Sequence, residues 1–406
     1  MSKTICMQLS NLESEFGKEQ VDSAIDAVAR FKVEVPSWVF GEFGGGRFSG
    51  YMPPGFARNI DEKLDDAAMV NQLTGAVSSV AVHVLWDLSS DGLTGDENVA
   101  RAVKNSAEER NLSIGSVSPT YFLEGSYRGS LSADEAEIRA RYIEQTVFAG
   151  QMSQAFGSNL VTLWLSDGSV YPGQVSLRHT IENAHRAVQT AYEQVDSSIK
   201  FLIEYKVFEP GTYSTVLSDW GSAYILAKSL GPNAGVLVDL GHHHHATNIE
   251  QIVARLLSDG MPCGFHFNTR YAADDDHAVE PNGEMARIFY ELVSGAVVAQ
   301  SEKEKDWAYM IDQCSGRENR IHAILHSIDS LQLSLAKAML VDSEKLKTLQ
   351  DRDEVVLANR FFNDALLNAD VRPIIQAARL NQNLPLDPVA AYVQSGYQEA
   401  IEQQRN

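Results

Sequence analysis

Long apolar runs are missing from this chain. No stretch of it approaches the ~18 apolar residues of a membrane-spanning helix, so none is expected. Cysteine is scarce as well: Cys6, Cys263 and Cys314 share no metal-binding spacing. That argues against a structural zinc and fits a reducing cytoplasm. Positive charge is outweighed, with 33 Lys and Arg against 54 Asp and Glu and a formal net charge of −21. Nucleic-acid binders present a basic face, so that class is not expected. The acidic balance favours solubility and cation uptake and says nothing about fold. The opening MSKTICMQLSNLESEF has no apolar h-region, so no secretory signal is expected. What the chain does have is length, 406 residues, and a hydrophobic share of 44%, enough for a large core.

Alternation organises the chain. Residues 11–35 carry apolar positions at helical spacing, and Pro36 is expected to stop that helix. Eight short apolar runs then read as strands. They are WVFGEFG (38–44), AVHVLWD (81–87), LSIGSVS (112–118), LVTLWLS (160–166), FLIEYK (201–206), GVLVDL (235–240), GFHFN (264–268) and AYMIDQ (308–313). Amphipathic segments separate them. Strands and helices alternating eight times predict an α/β fold, a (β/α)8 TIM barrel with its active site at the strand C-terminal ends. The expected divisions are an N-terminal helical segment (1–36), the barrel (37–335) and a C-terminal helical extension (336–406). Gly44–Arg47, GGGR, matches no phosphate-loop pattern and reads as a lid.

Chemistry concentrates between Glu204 and Asp312. Glu204, Asp239, His266 and Asp312 each sit at or just past the end of an apolar run. Such placement suggests a ring of metal ligands at one barrel end. Mixed oxygen and nitrogen donors suit Mn²⁺, Co²⁺, Mg²⁺ or Zn²⁺. Asp239 and His242 flank a tight turn at Gly241, and Asp274 and Asp276 face one way in extended chain. These suggest a second cation site. Alone, Asp274–Asp276 suit a solvated acidic loop and His266 a satisfied core histidine. Together, at one barrel end, they favour the metal reading. His243, His244 and His245 are expected to be bystanders in a polar turn. Lys206 shares the strand face of Glu204, and could hydrogen-bond a substrate oxygen or pair with a carboxylate. Trp86 and Trp164, at strand ends, are candidates for an apolar wall under a sugar ring. His83 is expected to point inward toward a substrate oxygen.

EYKVFEP (204–210), YSTVLSDWGS, VDLGHH, TNIEQIVARLL, GFHFN, DDD and MIDQ resemble L-rhamnose isomerases, especially the bacterial branch with broad sugar specificity. The D-x-x-H and D-x-D spacings are similar to the wider xylose isomerase superfamily. The resemblance is strong over about 160–315, extends to RNIDEKLDDAA and HVLWD within 50–90, and is weak elsewhere. It implies a cytoplasmic homotetramer that interconverts an aldose and a ketose by a metal-assisted hydride shift between C1 and C2. It implies two divalent cations, Mn²⁺ foremost, and no organic cofactor. One cation would be held by Glu204, Asp239, His266 and Asp312. The second would be held by Asp239 as bridge with His242, Asp274 and Asp276. Asp312 would be the acid/base relay, with His83 and Lys206 serving ring opening and orientation. The sequence departs from the family at Thr269, Arg270 and Tyr271, at HHHH, and at SVSPTYF. Arg270 is therefore expected either to clamp an anionic group on a sugar or to pair with the acidic run at 274–276. Rival readings are a ketose 3-epimerase of the same superfamily, a phosphodiesterase, and a non-catalytic metal- or sugar-binding protein.

Overall fold

The computed structural model describes residues 3–41, 53–169, 171–209, 212–270, 277–298, 302–314 and 317–405. Two helices open it, α1 (Lys3–Phe16) and α2 (Lys18–Arg30). Gly17 parts them at φ 94°, a value that glycine adopts without a Cβ penalty. Eight barrel strands follow: β1 (Val33–Pro36), β2 (Val77–His83), β3 (Ile114–Ser118), β4 (Leu160–Trp164), β5 (Lys200–Glu204), β6 (Ala234–Asp239), β7 (Cys263–Phe267) and β8 (Trp307–Ile311), with Gly168–Ser169 and Ser214–Thr215 pairing separately outside the barrel. Each pairs in parallel with its sequence neighbours, and β1 closes on β8 to complete a barrel. The surrounding helices are α3 (Ile60–Thr74), α4 (Glu97–Glu109), α5 (Ala136–Phe156), α6 (Leu177–Gln194), α7 (Trp220–Leu230), α8 (Ile249–Asp259), α9 (Gly283–Ser294) and α10 (Arg320–Met339). The TIM barrel expected from the alternation is what forms.

Two strand expectations need correction. Residues 38–41, the described part of the run 38–44, do not make the first strand. Val33–Pro36 does, and Ser37–Val39 coils into a 3₁₀ turn. Pro36 ends the ladder because it has no N–H to donate. The strand is hard to read because Glu34 sits inside the barrel. Its carboxylate accepts bonds from Ser79 Oγ (2.6 Å), Ser116 N (2.9 Å) and Ser116 Oγ (2.5 Å). Gly115 makes the space, since a Cβ there would lie 1.4 Å from Glu34 Oε2. The second strand starts earlier than expected and stops at His83; Val84–Leu88 winds into a π turn. That turn is pinned by Asp87, which accepts from Lys63 Nζ (2.7 Å), Ser37 Oγ (2.5 Å) and His83 N (2.8 Å).

Beyond the barrel lie α11 (Ser343–Asp351), α12 (Val355–Asn363), α13 (Arg372–Asn381), α14 (Pro388–Ser395) and α15 (Tyr397–Gln404). Ile5, Leu9, Leu12, Val21 and Val28 from α1 and α2 pack with Ala336, Leu340, Leu346, Ile374 and Ile375. The two chain ends thus share one satellite core. Among the described residues no helix is long and apolar enough to cross a membrane.

Arg405 fastens the last helix to α3. Its guanidinium donates to both Asp66 oxygens (2.8 and 2.9 Å) and to the carbonyls of Gly55 (3.0 Å) and Glu62 (3.2 Å). Both ion-pair partners are buried. Arg405→Ala would leave Asp66 as an uncompensated buried charge, and should cost about 3 kcal/mol of stability. Thermal or urea unfolding would measure this; a loss below about 1 kcal/mol, the worth of a surface pair, would contradict it.

Candidate metal and sugar site

The sheet register gathers the ligands. Asp239 ends β6 opposite His266 on β7, and Glu204 ends β5 opposite Trp164 on β4. Asp312 follows β8 by one residue. The four candidate ligand atoms of Glu204, Asp239, His266 and Asp312 all lie within 4.8 Å of one another. His266 Nδ1 lies 3.2 Å from Glu204 Oε1, 3.4 Å from Asp312 Oδ2 and 3.7 Å from Asp239 Oδ2. His242 joins from the turn after β6, with Nδ1 3.2 Å from Glu204 Oε1 and 3.8 Å from Asp239 Oδ1. Asp274 and Asp276 lie outside the described residues, as does the 44–47 segment.

Two of the three acids, Asp239 and Asp312, are aimed by residues outside the quartet. Asp239 Oδ1 accepts from Gly241 N (2.8 Å) and His242 N (3.2 Å). Asn268 Nδ2 reaches both Asp239 oxygens, at 3.1 and 3.2 Å. Trp38 Nε1 donates to Asp312 Oδ1 at 2.9 Å. Among the described residues the buried Asn268 Oδ1 has no hydrogen-bond partner. Three carboxylates converging in a buried mouth repel one another, and oxygen-rich donors with one imidazole suit a divalent cation. The residues present therefore fit a metal.

The charges of the cluster answer to each other. Burial alone would lower the His266 pKa, but Glu204, Asp312 and Asp239 outweigh it and raise it to about 10. His242 is likewise raised to about 9, burial being outweighed by Asp239 and Glu204. Burial, with Glu204 and Asp312, pushes Asp239 up to about 6. Burial would raise Glu204 too, yet His266 and His242 hold it below its ordinary value. A cation at His266 Nδ1 must displace a proton, so raising pH strengthens binding until the free imidazole is itself neutral. Mn²⁺ affinity should therefore rise between about pH 6 and pH 8, with at least about one proton released per chain. Calorimetry in buffers of different ionisation enthalpy would measure the release; zero protons and a flat affinity would contradict the arrangement.

An aromatic wall stands beside the cluster. His83 lies 4.2 Å from Trp86 and 5.9 Å from Trp38, centroid to centroid. Phe122 continues the row, 6.0 Å from Trp86 and 5.7 Å from Trp164. Lys206 Nζ sits 5.2 Å from the Trp164 centroid and 2.7 Å from Glu209 Oε1, the carboxylate pairing considered above. Thr120 Oγ1 takes the Leu85 amide at 3.1 Å and lies 2.7 Å from His83 Nδ1. Where the Thr120 O–H donates to Nδ1, the ring proton sits on Nε2. Burial lowers the His83 pKa to about 3, so the ring is neutral. Trp164 Nε1 is buried without a hydrogen-bond partner among the described residues.

Two placements bear on the turn after β6. Arg270 turns away into the histidine turn, donating to the carbonyls of His244, His245 (3.4 Å) and Thr247 (3.1 Å), and pairing with Glu284 at 2.6 Å. His243 is no bystander: it is buried, with Nε2 2.7 Å from Tyr205 Oη. Trp38, Phe122 and Asn268 were not foreseen as site residues. Asn268 was within reach of the pattern, because it follows His266 by two on one strand face.

A family model described as "Xylose isomerase-like TIM barrel" matches residues 79–294, more than half of the chain. The chain belongs to the xylose isomerase-like TIM barrel family. This xylose isomerase-like chain is 35% identical over 394 residues to a probable sugar isomerase of Rhizobium meliloti (strain 1021), covering 95% of this chain and 89% of that one. It is 34% identical to a probable sugar isomerase of Mesorhizobium japonicum, with 94% and 89% covered. Among solved structures, D-allulose 3-epimerase from Methylomonas sp. superposes with a TM-score of 0.52 at 13% identity, covering 75% of this chain and 98% of the other. At that identity the likeness extends to the fold of the xylose isomerase-like barrel alone.

Proposed function

We propose that this protein is a divalent-metal-dependent aldose–ketose isomerase acting on L-rhamnose or a related sugar. The observation that carries it is the buried quartet Glu204, Asp239, His266 and Asp312 set beside the wall from Trp38 to Trp164. The kinship with two probable sugar isomerases supports it. In this reading the quartet holds one cation. Asp239, His242, Asp274 and Asp276 hold a second, with Mn²⁺ the foremost candidate for both. Bound there, the cations supply Lewis-acid polarisation of adjacent substrate oxygens. A cytoplasmic homotetramer completes the proposal.

The chain's own residues supply the rest. The aromatic wall packs the C–H face of the sugar and excludes water. His83 offers its Nε2–H to a ring or hydroxyl oxygen, and the unpartnered Trp164 N–H takes another. Lys206, held by Glu209 and the Trp164 ring, orients the carbonyl end. Asp312 relays a proton from the substrate hydroxyl, and Trp38 fixes its direction. Hydrogen then moves with its electron pair from C2 to the C1 carbonyl carbon, C2–O becomes the new carbonyl, and the proton taken from O2 is returned to O1.

The test is a panel of aldoses and ketoses incubated with Mn²⁺ or Co²⁺ and read by product chromatography. Interconversion should vanish on chelation and return with metal. Full turnover in demonstrably metal-free protein would sink the reading.

A further inference from the structure

The turn after β6 carries four consecutive histidines, and the proposed chemistry uses only His242. His243 is nevertheless buried to 4% exposure, an uncommon place for a polar side chain without a task. Its two nitrogens are both engaged. Nδ1 faces the Leu240 carbonyl at 3.3 Å, and a carbonyl can only accept, so Nδ1 carries the proton. Nε2 therefore holds the lone pair and accepts from Tyr205 Oη at 2.7 Å. The rings meet edge to face, 5.2 Å between centroids. Tyr205 follows Glu204 directly, and its ring is 1% exposed.

The main chain of Tyr205 completes the connection. Its carbonyl lies 3.0 Å from His242 Nδ1. The other near neighbour of that nitrogen is Glu204 Oε1, again an acceptor. His242 Nδ1 is thus the protonated nitrogen, and Nε2 is left as the donor atom for a cation. Ligating histidines are commonly oriented this way, through the N–H they give to a carbonyl. Here the carbonyl belongs to a residue whose side chain is locked across the gap between β5 and the β6 turn.

We infer that Tyr205 and His243 form a positioning strut that fixes the ring orientation of His242 relative to Glu204. The strut touches neither substrate nor cation. It joins the outer side of the β5 end to the β6 turn, so that the two ligands on its inner side keep their separation. The inference rests on the two-cation reading above and adds to it a pair of residues outside the site.

The test is a two-site Mn²⁺ titration of the full chain by calorimetry, on wild type and four variants. Tyr205→Phe keeps the ring packing and removes only the donor. His243→Leu removes the acceptor. His243→Gln places an amide oxygen where Nε2 stood. The fourth is the Tyr205→Phe/His243→Leu double variant. Tyr205→Phe and His243→Leu should each weaken one of the two Mn²⁺ sites by about 10- to 100-fold and leave the other within about threefold. The double variant should be no worse than the poorer single, because both break one link. His243→Gln should restore most of the affinity. Equal weakening of both sites, additive losses, or no rescue by glutamine would overturn the strut and leave a packing role. Should His243→Leu fail to fold, Tyr205→Phe decides alone. Wild type that takes up no Mn²⁺ would overturn the functional reading beneath. Two ions bound unchanged in Tyr205→Phe would overturn the strut and spare that reading.

Discussion

Asp239→Asn is expected to strip the protein of most of its Mn²⁺ and to cut sugar interconversion by at least about a thousandfold. No other residue of the cluster is so deeply committed: Asp239 is fully buried and its carboxylate faces three donor groups, the amides of Gly241 and His242 and the side chain of Asn268. In the proposed mechanism it also serves both cations. Asparagine keeps the size and loses the charge. Its NH₂ cannot face the Gly241 and His242 amides, which only donate, so the new amide oxygen is held on that side and one of the two carboxylate oxygens is lost to the cations. A barrel with so extensive a core should still fold, which circular dichroism would check. Elemental analysis should find the Mn²⁺ content near zero. Full metal occupancy together with more than about a tenth of wild-type turnover would remove Asp239 from the centre of the account.

Lys206→Met should divide metal binding from turnover. The methionine keeps much of the buried stem that packs near Trp164 while deleting the charge paired with Glu209. Turnover is expected to fall by about 10²–10⁴-fold, the range for a positioned proton-handling or orienting group. Both Mn²⁺ constants should stay within about threefold, because Lys206 is not a ligand in this reading. Turnover within tenfold of wild type would demote Lys206 to a structural ion pair. A loss that simply follows a loss of metal would do the same.

How much of this was legible beforehand differs by residue. Glu204, Asp239, His266 and Asp312 could be read because parallel barrel strands are near-continuous apolar runs, and a charged residue where the run stops stands out. The barrel itself followed from the same alternation. Trp38 could not be read, because the true first strand is four residues long and carries Glu34 in its middle. A buried charge held by Ser79 and Ser116 is invisible until the partner strands are in place. The apolar run behind it then passes for the strand. His243 was hidden by uniformity: in HHHH the pattern cannot tell the residue facing the cluster from the one facing Tyr205. Among the described residues the carboxylate partner of Arg270 is Glu284 on α9, which spacing alone cannot show. Phe122 sits in the loop after β3, where no periodicity operates.

The central claim is that hydrogen moves between C1 and C2 of one sugar on a metal-loaded site. It is tested most directly with an aldose deuterated at C2, L-rhamnose first, incubated with the Mn²⁺-loaded protein and followed by NMR. The account predicts a ketose that carries the deuterium at C1, and no product at all after chelation. A ketose whose C1 carries solvent hydrogen in place of the deuterium, or interconversion that proceeds without metal, would contradict it.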